Sequence, residues 1–141
     1  MSISSPTIYT ANMMCYCGSN DPFSQCCEPY IYGNTAPQTA TQLMRSRYTA
    51  FCINDVHYLN KTTSLTPITS IDSSIRWTGL TIIKSIKGGA SDSTGIVEFN
   101  AFFIEENLDC ILHEISQFKK QNECWLYCHG TSSISPLDSP K

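Results

Sequence analysis

The fold is best approached from CYCGSNDPFSQCC, residues 15–27, which contains four of the chain's eight cysteines. They form two short pairs, Cys15-x-Cys17 and Cys26-Cys27, with eight residues between them. Those intervening residues include Gly, Asn, Asp and Pro, which favour a chain reversal, so both pairs can converge on one point. Zinc takes four tetrahedral ligands and binds thiolates at about 2.3 Å. Because four protein ligands leave no position open for substrate or water, the stretch predicts a structural zinc site.

Two other interpretations of the cysteines stay open. They could be free or oxidisable thiols, although neighbouring Cys-Cys residues do not easily bond to each other. An iron–sulfur cluster is the third interpretation, and it fits less well because cluster-binding cysteines are usually separated by two or more residues.

Composition predicts one globular domain in a reducing compartment. The chain has 141 residues, 41% of them hydrophobic, and a net charge of −3, which argues against broad sequence-independent nucleic-acid binding. Residues 1–14 contain no Lys or Arg and no apolar run typical of a signal peptide, and no segment is long enough to span a membrane. We therefore expect a cytoplasmic protein with no membrane association. In the reducing cytoplasm, clustered cysteines bind metal more often than they form disulfides.

The remaining sequence predicts helices first and strands afterwards. Thr39 or Thr41 can cap a helix whose apolar positions recur at three- and four-residue steps up to Phe51. Asn54 or Asp55 can cap a second, shorter helix, and a third is predicted over residues 70–77. Four strand-like segments follow with short links, at residues 80–86, 96–104, 110–118 and 124–129. This order predicts an α+β fold with an antiparallel meander of four strands.

Four segments are predicted along the chain. They are an N-terminal arm (1–14), the cysteine knuckle with its connection (15–37), the α+β domain (38–130) and a loose Ser- and Pro-rich tail (131–141). A strongly twisted sheet wrapped around the helices leaves a cleft, and the predicted cleft-lining residues are Arg47, Tyr48, Trp77, Glu98 and His113. A carboxylate or histidine there could act as a general acid or base. A satisfied polar network is the favoured interpretation, because no nucleophile–base pair is evident.

Two further expectations concern neighbouring side chains. His113 and Glu114 point to opposite faces of a strand, so only one of them can face the cleft. Four cysteines lie outside the knuckle and are expected to be buried small hydrophobic side chains: Cys52, Cys110, Cys124 and Cys128.

The knuckle resembles the SEC-C motif, a zinc-binding segment also found at the C-terminus of the SecA translocation ATPase. The resemblance rests on Cys-x-Cys-Gly-Ser, followed after the second cysteine by eight residues and Cys-Cys. Together with LMRSRYTAF (43–51), GIVEFxA (95–101) and HExSxF (113–118), it identifies the chain as similar to the YchJ-like family, in which a SEC-C motif precedes a nuclear-transport-factor-2-like (NTF2-like) domain.

The resemblance implies a cone-shaped fold in which about three helices pack in a curved, mainly antiparallel sheet of about four strands. It also implies zinc bound by Cys15, Cys17, Cys26 and Cys27. Many members carry a second SEC-C motif at the C-terminus, whereas residues 132–141 here contain no cysteine.

These observations lead to two functional hypotheses. The first is a non-enzymatic zinc-binding protein whose SEC-C module contacts a protein or ribosomal partner. The alternative is a small-molecule binder or a lyase- or isomerase-type enzyme acting in the cleft. That alternative needs a cavity of several hundred Å³ with convergent polar groups, and a cleft filled by Trp77, Tyr48 and Phe118 would contradict it. Homodimerisation through the outer face of the sheet is compatible with both.

Overall fold

The computed structural model describes residues 13–137. A short 3-10 turn at Phe23–Gln25 precedes three helices and four strands. The helices are α1 (Glu28–Ile31), α2 (Ala40–Ile53) and α3 (Val56–Lys61), and the strands are β1 (Ile75–Lys87), β2 (Thr94–Glu105), β3 (Leu108–Gln121) and β4 (Cys124–Pro136). The predicted N-terminal arm lies outside the described residues except for Met13 and Met14, and residues 138–141 of the predicted tail also lie outside them.

The two predicted helix caps are confirmed. The Thr39 hydroxyl accepts a hydrogen bond from the Gln42 backbone N–H at 3.1 Å and so satisfies one of the free donors of the first turn of α2. The residue directly after this helix, Asn54, stops it with a left-handed φ of 65°. The Asp55 carboxylate then accepts from the Tyr58 N–H at 3.0 Å and starts α3.

The sheet is the predicted antiparallel meander in the order β1-β2-β3-β4. Two-residue turns at 106–107 and 122–123 join its last three strands, and every residue in these turns has positive φ, as twist-matched hairpin turns require. Along β2 the side chains at 97, 99, 101 and 103 are buried, whereas those between them are not. The face carrying these buried residues, called here the inner face, packs against α2. The α+β fold class is confirmed.

The helix predicted over residues 70–77 is wrong. Asp72 instead accepts hydrogen bonds from the backbone N–H and hydroxyl of Ser74, which makes a local turn, and β1 begins at Ile75. Trp77 pairs with Phe103 across the strands, with ring centroids 5.1 Å apart. Cross-strand packing of this aromatic pair therefore overrides the local helical signal.

The tail prediction is also wrong for residues 131–136, because β4 continues to Pro136. Its pairing with β3 includes Glu114 with Ser132 and Cys110 with Pro136. This part of the strand is exposed and lies at the sheet edge, where Ser, Thr and Pro are tolerated. The polar composition that suggested a loose tail is therefore that of an edge strand.

Candidate metal centre

Four cysteine side chains meet at one point. The sulfur atoms of Cys15, Cys17, Cys26 and Cys27 all lie within 4.8 Å of one another. The separation is 3.6 Å between the sulfurs of Cys17 and Cys26, and 3.9 Å between those of Cys26 and Cys27. A tetrahedral ion with metal–sulfur bonds of about 2.3 Å would place its ligands about 3.8 Å apart. These two separations agree with this value, so the cluster could hold a metal ion.

A small backbone loop creates the convergence. The Cys15 N–H donates to the Asp21 carbonyl at 2.9 Å, and the Phe23 N–H donates to the Met13 carbonyl at 2.7 Å. Gly18 has a φ of 78°, which allows the chain to turn directly after Cys17, and a Cβ there would lie only 3.2 Å from the Leu80 carbonyl oxygen. The sequence between the two cysteine pairs thus reverses the chain as predicted.

Helix α2 supplies a second layer of contacts around the sulfurs. Arg45 Nη1 donates to the Cys17 carbonyl at 2.8 Å and lies 3.8 Å from the Cys17 sulfur. The Thr49 hydroxyl lies 3.8 Å from the Cys15 sulfur. Within the loop itself, the Ser19 hydroxyl lies 3.2 Å from the Cys26 sulfur. Such neighbours orient metal ligands, and a cation beside a thiolate also offsets part of its charge.

The electrostatics of the cluster disfavour several ionised thiols in the absence of a cation. Hydrogen bonds from Cys15 and Cys27 strongly lower the pKa of the Cys17 thiol, whereas the reciprocal hydrogen bonds raise the pKa of Cys27. Burial is the main cause that raises the pKa of Cys26 to about 12. One thiolate therefore suppresses ionisation of its neighbours, and several thiolates can coexist here only with a cation among them.

The cluster belongs to the hydrophobic core. Cys15, Cys17 and Cys27 are buried and form one continuous cluster with Phe23 and with residues of α2 and the inner sheet face. The sulfurs thus lie between the loop and the domain. A metal at this position would fasten the loop to the domain.

The predicted cleft residues divide between the two faces of the sheet. Arg47, Tyr48 and Trp77 lie on the inner side, with the rings of Tyr48 and Trp77 6.1 Å apart. Glu98 lies between the buried residues of β2 and therefore faces outward, where its carboxylate is 2.7 Å from His113 Nε2. The prediction that Glu98 and His113 line the cleft with Arg47 is wrong, because strand alternation points both away from the helices.

The inner carboxylate is Glu114, which the predicted cleft list omits. Its Oε2 accepts from the Tyr127 hydroxyl at 2.9 Å and from the Ser116 hydroxyl at 2.7 Å. Gly130 provides the space, because a Cβ there would overlap this carboxylate. The sequence of β3 contains a pattern that could have identified Glu114. It lies four residues before Phe118, so both side chains are on the same face of the strand, and the apolar Phe118 belongs on the buried face.

The other cysteines are more exposed than predicted. Cys124 is exposed, and Cys52, Cys110 and Cys128 are partly exposed. Cys124 follows a tight turn. Cys128 lies in a bulge where the register of β3 and β4 shifts, so spacing alone does not place it with Cys124 on one face. The expectation of four buried hydrophobic side chains is wrong.

Comparison with known proteins bears on this architecture. The class of protein is defined by a four-cysteine SEC-C knuckle joined to an NTF2-like α+β domain. Residues 39–130 match the family model described as the YchJ middle NTF2-like domain. A UPF0225 protein of Geobacter sulfurreducens is 34% identical over 125 residues, which cover 83% of this chain and 78% of that protein. One of Vibrio cholerae is 37% identical over 125 residues, covering 84% and 82%. The chain therefore belongs to the YchJ-like UPF0225 family.

Two solved structures share the fold. The solution structure of a SEC-C motif containing protein from Rhodopseudomonas palustris is 29% identical, with a TM-score of 0.74, covering 84% of this chain and 98% of that one. The crystal structure of a SEC-C motif containing protein from Psychrobacter arcticus is 27% identical, with a TM-score of 0.72, covering 89% and 85%. Within residues 13–137, no helix is long and apolar enough to cross a membrane.

Proposed function

We propose that the chain binds one Zn²⁺ through Cys15, Cys17, Cys26 and Cys27, and that the metal-bound knuckle is a non-enzymatic protein-interaction module carried by the α+β domain. The main observation that supports this proposal is the four-sulfur cluster, whose sulfur atoms lie within 4.8 Å of one another. An all-sulfur ligand set suits zinc, and the proposed cytoplasmic location would keep the thiols reduced. When bound, zinc would supply charge neutralisation and a cross-link.

The exposed surface of the knuckle supports the interaction role. Tyr16 is 41% exposed and Tyr32 is 62% exposed, although both are large aromatic side chains. Both rings stack edge-on against the buried Phe23, at centroid distances of 5.8 and 6.4 Å. Exposed aromatic residues held by a rigid base are typical of protein-binding surfaces. The proposed partner is a protein, either free or as a component of the ribosome.

The packing of the domain interior favours binding over catalysis. The Trp77 ring lies 6.1 Å from the rings of both Tyr48 and Phe51, and the Phe118 ring lies 5.8 Å from that of Tyr127. These aromatic side chains fill much of the inner side, and the cavity left beside Arg47 has a volume of about 130 Å³, smaller than the several hundred Å³ that the alternative hypothesis needs. The saturated metal site likewise offers no open coordination position.

Affinity capture with three variants tests the proposal. Cys26→Ser/Cys27→Ser removes two metal ligands, Tyr16→Ser/Tyr32→Ser removes only the aromatic surface, and Ile83→Ser is a control at an exposed position of β1. We expect the first two variants to lose the same partners and the control to retain them. If all three variants capture the same proteins as the native chain, the knuckle is only a structural clip.

A further inference from the structure

A buried cation without an acidic partner lies on the inner side of the domain. Arg47 is 8% exposed, and its Nη1 donates to the Leu59 carbonyl at 2.9 Å and to the Thr62 hydroxyl at 2.7 Å. No carboxylate within residues 13–137 forms an ion pair with Arg47, although the negative charge of Glu114 acts on it from a greater distance. Burial lowers its pKa to about 10, which still leaves it charged at neutral pH.

One edge of the guanidinium is unused. In the described part of the chain, Nε and Nη2 of Arg47 donate to no residue, while the Tyr127 ring covers one face, with its centroid 4.8 Å from Cζ. Every fully buried side-chain nitrogen or oxygen among the described residues has a hydrogen-bond partner. The unused edge must therefore still reach solvent. Its two parallel N–H groups match the geometry of a carboxylate.

A small cavity lies beside this side chain. Its volume is about 130 Å³, and its lining includes Arg47 and the apolar side chains of Phe51, Leu65 and Ile68. At about 30 Å³ per water molecule, it has room for about four waters, which suits a small ligand. The side-chain amide of Asn60, which also lines the cavity, is not free to bind such a ligand. Its nitrogen donates to the Ile68 carbonyl and its oxygen accepts from the Ile68 backbone N–H.

We propose that this cavity binds a small aliphatic monocarboxylate. The carboxylate pairs with the Nε–Nη2 edge of Arg47, and the short alkyl chain lies against Phe51, Leu65 and Ile68. Glu114, whose carboxylate accepts from the Tyr127 hydroxyl, limits the affinity because its negative charge also acts on Arg47. This site is independent of the zinc knuckle, so its test and that of the proposed function can fail separately.

Butyrate and the neutral butyramide, which has nearly the same shape, form the test pair. Each is titrated into the isotope-labelled full chain while the Arg47 Nε–H signal and the backbone amides are followed by NMR. We expect saturable butyrate shifts at Arg47 and the cavity lining, and butyrate binding at least about tenfold tighter than butyramide binding. Arg47→Lys keeps a charge but loses the two-pronged edge and should weaken butyrate binding about tenfold.

Variants at the cavity rim keep the test valid if Arg47→Lys does not fold. Ile68 is 40% exposed, so a polar replacement there is tolerated. Both replacements remove the same apolar contact from butyrate and butyramide, so the ratio of the two affinities is compared: relative to butyramide, butyrate should bind about threefold more weakly in Ile68→Glu and about threefold more tightly in Ile68→Lys. Equal binding of butyrate and butyramide, butyrate shifts outside the cavity, or sulfate binding as tightly as butyrate would each overturn the proposal.

Discussion

Gly130→Ala gives a direct test of the inner polar network. A Cβ at this position would overlap the Glu114 carboxylate and would lie 2.5 Å from the Tyr127 hydroxyl oxygen. The carboxylate must therefore move away from both its donors, the hydroxyls of Tyr127 and Ser116. Because Ser116 is fully buried, its hydroxyl would be left without an acceptor or with a poorer one.

The expected cost follows from these two hydrogen bonds. A hydrogen bond to a charged group contributes about 1.5–3 kcal/mol. Glu114 and Tyr127 are only partly buried and can regain bonds to water, so the full sum is not expected. The lower chain entropy of Ala in the unfolded state returns about 0.4–1 kcal/mol. We therefore expect Gly130→Ala to lower the free energy of unfolding by about 2–4 kcal/mol.

Urea unfolding of the native chain and four variants measures this effect. Gly79→Ala is the matched control in β1, because its Cβ would meet only the Phe102 side chain at an ordinary 3.6 Å. We expect Gly79→Ala to change the unfolding free energy by no more than about 1 kcal/mol. In a Glu114→Ala background, Gly130→Ala should cost about 1 kcal/mol or less, because the main overlap is gone. An equal cost of Gly130→Ala in both backgrounds would refute the reasoning.

Three further predictions address other parts of the molecule. Arg45→Ala should lower zinc affinity about 10–100-fold in a chelator competition, whereas Arg76→Ala, at an exposed position of β1, should leave it unchanged. Burial raises the pKa of Cys52 from 9.0 to about 11, so Cys52 stabilises the fold fully below pH 9.0 and loses this contribution as the pH rises to about 11. Chemical unfolding of the native chain at increasing pH should show the free energy of unfolding fall by at most about 3 kcal/mol from this cause. The same measurement on Cys52→Ala should show a smaller fall. Parallel pH profiles for the two proteins would contradict the role given to Cys52. The third prediction concerns homodimerisation through the outer sheet face, where Ile115 of β3 is exposed. If the native chain dimerises through this face, Ile115→Lys should be monomeric in sedimentation equilibrium. Equal association of the native chain and the variant would exclude this face as the interface.

Local rules predicted the parts of the fold that depend on local chemistry. Thr39 and Asp55 cap helices because their side chains reach backbone N–H groups three residues ahead. The four cysteines converge because the loop between them contains residues suited to a turn, including Gly18 at positive φ. The order of helices and strands followed from the change in hydrophobic period.

Predictions failed where distant contacts decide the structure. Trp77 is in a strand because it packs on Phe103, a residue the local window around it does not contain. Residues 131–136 form a strand because a long β3 offers them a partner. Glu98 and His113 face outward because side chains alternate between the two faces of a strand. The same alternation places Glu114, the neighbour of His113, on the inner face. The buried surroundings of Arg47 combine α2, α3 and β4, which sequence spacing does not bring together.

Metal content tests the central claim most directly. The full chain, reduced and purified without chelator, is analysed for metals alongside Cys26→Ser/Cys27→Ser and the exposed-cysteine control Cys124→Ser. We predict about one zinc per chain in the native protein and in Cys124→Ser, because a four-thiolate site takes one ion, and none in the double variant. Native protein without stoichiometric metal, or a double variant that retains its zinc, would contradict the assignment.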